Sequence, residues 1–154
     1  MDKKVPVELI ATKIFEIRGK KVMLDKDLAR LYGVETRRLN EQVRRNKKRF
    51  PEDFMYQLTR QEFMNLISHF ATSSWGGTKK LPYVFTEQGV AMLSSVLNSE
   101  RAIQVNILIM RAFTRLKEVL LTHKELAVRL GQLEEKYSSH DEKIQAIFDA
   151  IKQL

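Results

Sequence analysis

Apolar positions recur along this chain with a period near two, then near 3.6, and at the end near 3.5. Residues 14–24, IFEIRGKKVML, hold two β-compatible runs about an Arg-Gly-Lys-Lys turn and predict a short hairpin. DKDLARLYG (25–33) places Leu28, Leu31 and Tyr32 on one helical face. Asp25 is a plausible cap for that helix, and Gly33 can end it in the left-handed conformation. A second helix is predicted from Thr36 and must stop by Phe50, because Pro51 cannot continue it. DFMYQL (53–58) reads as a short strand. Thr59 and Glu62 form a capping-box pattern, opening a helix with the stripe Phe63, Leu66, Ile67 and Phe70. A polar, glycine-containing loop (71–80) leads to a strand at PYVF (82–85) and a helix capped by Thr86. Asn98-Ser99 breaks that helix, and a long helical region starts near Glu100. Its segment AIQVNILIMRAF is apolar on more than one face, which predicts burial.

The tail has its own period. Leu116, Val119, His123, Leu126, Leu130 and Leu133 begin an unbroken 3-4 spacing, and Tyr137, His140, Ile144, Ile147, Ile151 and Leu154 continue it. This is a heptad seam, and such seams pair helices. The competing reading is an amphipathic helix packed on its own domain; the sustained 3.5 period favours a coiled coil. Ser138-Ser139 followed by Glu142 is a point where the helix can break. His123 and His140 read as seam defects rather than metal ligands. Protonating imidazoles in an apolar seam opposes assembly, so association through the tail is expected to weaken on acidification.

Composition narrows the class. The chain has 154 residues, 44% of them hydrophobic, enough for one compact domain with an extension. Cysteine is absent, which excludes disulfides and thiolate metal sites and fits a reducing, cytoplasmic setting. No apolar run is long enough to span a bilayer, and no signal peptide is recognisable, so no membrane partner is expected. The net charge is +8, concentrated in residues 1–121, with a near-neutral tail. That excess either serves solubility alone or raises affinity for a polyanion.

VETRRLNEQVRRNKKRF (34–50) bears on that choice. On a helix, Leu39, Val43 and Phe50 share one face, while Arg37, Glu41, Arg44 and Lys48 lie opposite and Arg38, Asn40 and Arg45 flank them. One face anchors; the other presents guanidinium and amide groups suited to a major groove, where Arg reads guanine and Asn reads adenine. Glu41 either accepts from cytosine or, as is favoured, pairs with a neighbouring Arg. The preceding helix and glycine turn make DLARLYGVETRRLNEQV similar to a helix-turn-helix. Lys47 and Arg49 extend the basic set. In the 71–80 loop, Trp75, Lys79 and Lys80 suggest a wing-like second contact above paired strands, against the alternative of an ordinary surface loop.

IRGKKVMLDKDLARLYGVETRRLNEQVRRNKKRFPEDFMYQLT and LPYVFTEQGVAMLSSVLNSERAIQVNILIMRAF resemble the ORF6N domain over about residues 8–118. The LDKDLARLYGV turn, the RFPEDF junction and the FTEQG helix start carry the resemblance. ORF6N is related to the KilA-N and BRO-N domains. The resemblance implies an α+β DNA-binding domain of phage or prophage regulators and antirepressors, often joined to a variable C-terminal part. The expected architecture is therefore α+β: a small mixed domain (8–118) with a helix-turn-helix-like element and short strands. A long C-terminal helix or coiled coil (119–154) follows and makes the protein a homo-oligomer. The expected partner is double-stranded DNA in the nucleoid, with no cofactor; the alternative is an antirepressor whose tail captures a repressor. No H-E-x-x-H, G-x-G-x-x-G or P-loop is present, so an enzyme is not expected.

Overall fold

The computed structural model describes residues 6–68, 80–137 and 142–153. A short helix α1 (Val7–Ala11), which the sequence pattern did not predict, buries Ile10. The expected hairpin follows as β1 (Ile14–Ile17) and β2 (Lys20–Leu24). Its two-residue turn holds Arg18 at φ 56° and Gly19 at φ 74°. Positive φ at both central positions marks the turn class whose twist matches that of the strands. Helices α2 (Asp25–Tyr32) and α3 (Thr36–Arg45) come next, then a 3-10 turn, Lys47–Arg49. Strand β3 (Met55–Gln57), α4 (Arg60–Ser68), β4 (Tyr83–Thr86) and α5 (Glu87–Val96) complete the mixed part. Two helices end the chain: α6 (Glu100–Tyr137) and α7 (Glu142–Lys152). The architecture is α+β with a long C-terminal helix.

The four strands form one antiparallel sheet in the order β1-β2-β4-β3. Alternation sends successive side chains to opposite faces. Val22, Leu24 and Val84 meet Phe63 and Leu66 of α4 on one face. Met23 and Phe85 face the other way, against α2, α3, α5 and the first turns of α6. The chain divides into two compact units, one ending at Phe113 and one beginning at Thr114.

Local rules explain several helix ends. Thr59 and Glu62 form the reciprocal capping box, with Thr59 N donating to Glu62 Oε1 at 2.8 Å and Glu62 N donating to Thr59 Oγ1 at 3.2 Å. Thr86 Oγ1 accepts from Gly89 N and caps α5; Ser99 Oγ accepts from Ala102 N and opens α6. Asp25 departs from its expected role. It is the first residue of α2, with Leu24 at the cap position, and its carboxylate is buried.

The burial predicted for 102–113 holds on one face of α6 alone. Ala102, Val105, Ile109, Ala112 and Phe113 are buried, whereas Ile103 and Ile107 remain about half exposed because no described element covers that side. The tail also differs from one continuous seam. Lys152 of α7 forms an ion pair with Glu134 of α6. In a straight helix those residues would stand ~27 Å apart, so α7 doubles back along α6. Phe148, which lies off the heptad seam, is buried. Seam residues Val119, Leu126, Leu133, Ile147 and Ile151 are exposed, Leu116 and Leu130 are partly buried, and His123 is exposed. His140, Leu154, the Ser138-Ser139 break and the side chains of Tyr137 and Ile144 lie outside the described residues, as does Phe70.

One glycine is irreplaceable on steric grounds. A Cβ at Gly89 would fall 2.1 Å from the carbonyl oxygen of Phe54, in backbone that cannot move aside cheaply. Gly89→Ala is expected to destabilise the first unit by ~3 kcal/mol or more. By contrast, Gly131→Ala, in open helix surface, should stabilise by ~0.5–1 kcal/mol. Thermal unfolding of both variants checks the pair, and equal midpoints would contradict the close approach.

Candidate nucleic-acid interface

The α2–α3 junction is built by backbone hydrogen bonds. Gly33 sits at φ 73°, ψ 31°; its N–H donates to Arg30 O and the Val34 N–H donates to Ala29 O. This is the Schellman ending, which satisfies orphan carbonyls and turns the chain sharply. Leu28, Ala29 and Tyr32 of α2 then pack with Leu39 and Val43 of α3, all buried. Arg101 Nε donates to Leu31 O beside the turn. The Tyr32 hydroxyl donates to Asn106 Oδ1 at 2.7 Å, and burial raises its pKa.

With Leu39 and Val43 inward, the charged residues of α3 face solvent. The Arg37 side chain is 90% exposed and only loosely beside Glu35, at 4.0 Å. Glu41 pairs with Arg45 at 3.0 Å, the intrahelical arrangement favoured from its spacing. Phe50 reaches the core edge-on to Phe85, at 6.0 Å between ring centroids, through a 3-10 turn and not a continuous helix. That anchor leaves Lys47, Lys48 and Arg49 on the outside. Arg49 makes a long contact, 3.4 Å, with Ser95 Oγ.

Asn40 is placed differently from the outward amide that its position suggested. Half-buried, it donates through Nδ2 to Asp25 Oδ2 at 2.8 Å. The same carboxylate accepts from Tyr83 N at 3.3 Å and, through Oδ1, from Lys26 N at 2.7 Å. The donor group of Asn40 is thus committed to holding α3 on the sheet. Lys80 is exposed just before β4, and β3 and β4 pair as expected; Trp75 and Lys79 lie outside the described residues.

Two hollows flank α3. One, of about 650 Å³, is bordered by Arg37, Arg38 and Arg45 with Glu35 and Glu41. The other is a trough of about 820 Å³ between α3 and the sheet, bordered by Arg44 and Lys47 on one side and, on the other, by Arg18 of the β1–β2 turn and Lys20 at the start of β2. Sequence reasoning passed over that turn. Arg18 donates to both Glu62 oxygens, at 2.7 and 2.8 Å, and lies over the Tyr56 ring at 4.4 Å.

A sequence profile of the ORF6N domain matches residues 12–96. The chain belongs to the ORF6N family. No curated protein and no solved structure matches it. The matched part of the ORF6N domain runs from Thr12, two residues before β1, to the end of α5, narrower than the 8–118 span expected, and it contains both walls of the trough. No helix among the described residues is long and apolar enough to cross a membrane.

The Arg18–Glu62 pair ties the ORF6N hairpin to α4. Hydrogen bonds from Arg18 hold the Glu62 carboxyl down at about 2, below the ordinary 4.5. A depressed folded-state pKa contributes stability above the unfolded value and loses it as pH falls toward the folded one. The melting-temperature gap between the native protein and Glu62→Gln should therefore be constant above about 4.5 and close as pH falls toward about 2. A gap that does not vary with pH would mean the pair contributes nothing measurable.

Proposed function

We propose that this ORF6N protein is a non-enzymatic phage-type regulator that binds double-stranded DNA through α3, in the cytoplasm at the nucleoid. The division of α3 carries the reading: Leu39 and Val43 are buried at 0% and 3% exposure while Arg37, Arg38, Arg44 and Arg45 face solvent. A helix anchored on one side and cationic on the other fits a major groove, with guanidinium groups aimed at guanine edges and the Lys47–Arg49 turn at phosphates. Binding by such a surface releases counterions and weakens steeply with salt.

The second unit supports pairing of two copies. Phe148 and the Glu134–Lys152 pair set the contact side of each helix. Helical rotation from those points puts Leu126 and Leu133 of α6 and Ile147 and Ile151 of α7 on the same flank of the hairpin. These four are 43–59% exposed, on a unit of forty-one residues, 114–154. A flank so apolar is suited to a second copy of itself, and two ORF6N heads then match a two-fold operator with gain from effective concentration.

Arg44→Ala and Arg37→Ala should each weaken DNA binding by ~1–3 kcal/mol where the side chain reads a base, with relaxed sequence preference. Selection from a random duplex pool followed by titration measures both; unchanged affinity and preference in both variants would falsify α3 as the reader. In sedimentation, the full chain should run as a dimer or larger and Leu133→Glu/Ile147→Glu as a monomer. Identical sedimentation of the two removes this flank from assembly.

A further inference from the structure

The β1–β2 turn is built more firmly than a surface hairpin requires. Arg18 occupies φ 56°, where glycine or asparagine is usual and a long side chain is strained. Three tethers offset that strain. Arg18 grips Glu62 with two hydrogen bonds, its guanidinium lies over Tyr56, and the Tyr56 hydroxyl donates to Ile17 O at 2.9 Å. The turn is therefore fixed to β3 and α4 at its tip. Arg18 is consumed in this work, since Glu62 neutralises it. Lys20, the next residue after Gly19, is exposed and has no ion-pair partner among the described residues. Lys21 differs, standing 3.8 Å from Glu16.

Lys20 borders the trough whose opposite wall is α3 and the 3-10 turn. There Arg44 and Lys47 are likewise exposed and without ion-pair partners among the described residues, unlike Arg45 on the far flank. Three cations without ion-pair partners among the described residues thus line one trough from its two opposite walls. Glu52 and Asp53 also line it and repel phosphate, which steers an anionic chain toward the cations. We propose that the β1–β2 turn is a second DNA-contacting arm, in which Lys20 neutralises a backbone phosphate across the trough from Arg44 and Lys47. This rests on the reading of α3 as the DNA-binding helix. Arg18 is a positioning residue: it holds the arm still, so that little freedom is lost when the strand enters.

The test is fluorescence anisotropy of the full-length protein with a labelled mixed-sequence duplex, from about 50 to 200 mM salt. Each phosphate contact adds roughly 0.9 to the slope of log affinity against log salt. Lys20→Ala is expected to lower that slope by about one and to leave base preference unchanged. Arg18→Gln in the Lys20→Ala background should leave the slope where Lys20→Ala puts it; a further fall would overturn the positioning role. An unchanged slope in Lys20→Ala, with a lowered one in Arg44→Ala, overturns the second arm and leaves α3 standing. Unchanged slopes in both variants, or no binding by the native protein, overturn both. Lys20 is exposed, so the variant's fold is checked by an unaltered circular dichroism spectrum and melt.

Discussion

A buried carboxylate holds this domain in register. Asp25 is 5% exposed, and its two oxygens accept from Lys26 N, Asn40 Nδ2 and Tyr83 N. Those three donors belong to the start of α2, the middle of α3 and the first residue of β4. A charge removed from water is costly unless hydrogen bonds replace its hydration, and a carboxylate with three donors is well supplied. The arrangement has geometric consequences. The basic helix cannot roll about its axis without withdrawing Asn40, and β4 cannot slide without losing Tyr83. Apolar packing of Leu39 and Val43 gives α3 its seat, but apolar contacts are non-directional; the Asp25 bonds supply direction.

That node also marks where sequence reading stopped. Contacts within a few residues were legible because their chemistry is local: the Gly33 ending, the Thr59–Glu62 box and the Thr86 cap form as their residues suggest, and the hairpin forms with a tighter turn than the expected Arg-Gly-Lys-Lys, because Lys20 and Lys21 pair within β2. Asp25 and Asn40 were read as a cap and a base-reading amide, each sound for its own helix. Their partnership spans 15 residues, and no periodicity announces it. Arg18 and Glu62, 44 residues apart, were hidden for the same reason.

In the tail the difficulty was of another kind. A 3.5-residue period selects a face of a helix without saying whether the helix continues. The seam positions Ile147 and Ile151 follow the period and are exposed, yet Phe148 between them is buried. Once α7 turns back, the two halves of the seam become neighbouring stripes on one hairpin flank. Likewise, apolar residues on several faces of 102–113 do not require several neighbours. The core takes Val105 and Ile109 and leaves Ile103 and Ile107 outside.

The strand order sets a sequence of events during folding. β1 and β2 join through a two-residue turn and can zip within microseconds. The α2–α3 corner is equally local. β4, however, docks between β2 and β3, so Val22 must find Thr86 across most of the mixed domain. Loop closure over that distance is entropically opposed and slow. Until it happens, Asp25 lacks Tyr83 and the inner edge of β2 stays open. Contact order alone puts the hairpin and the α2–α3 corner ahead of the β2–β4 pairing, and until that pairing closes the edge of β2 is open to other chains.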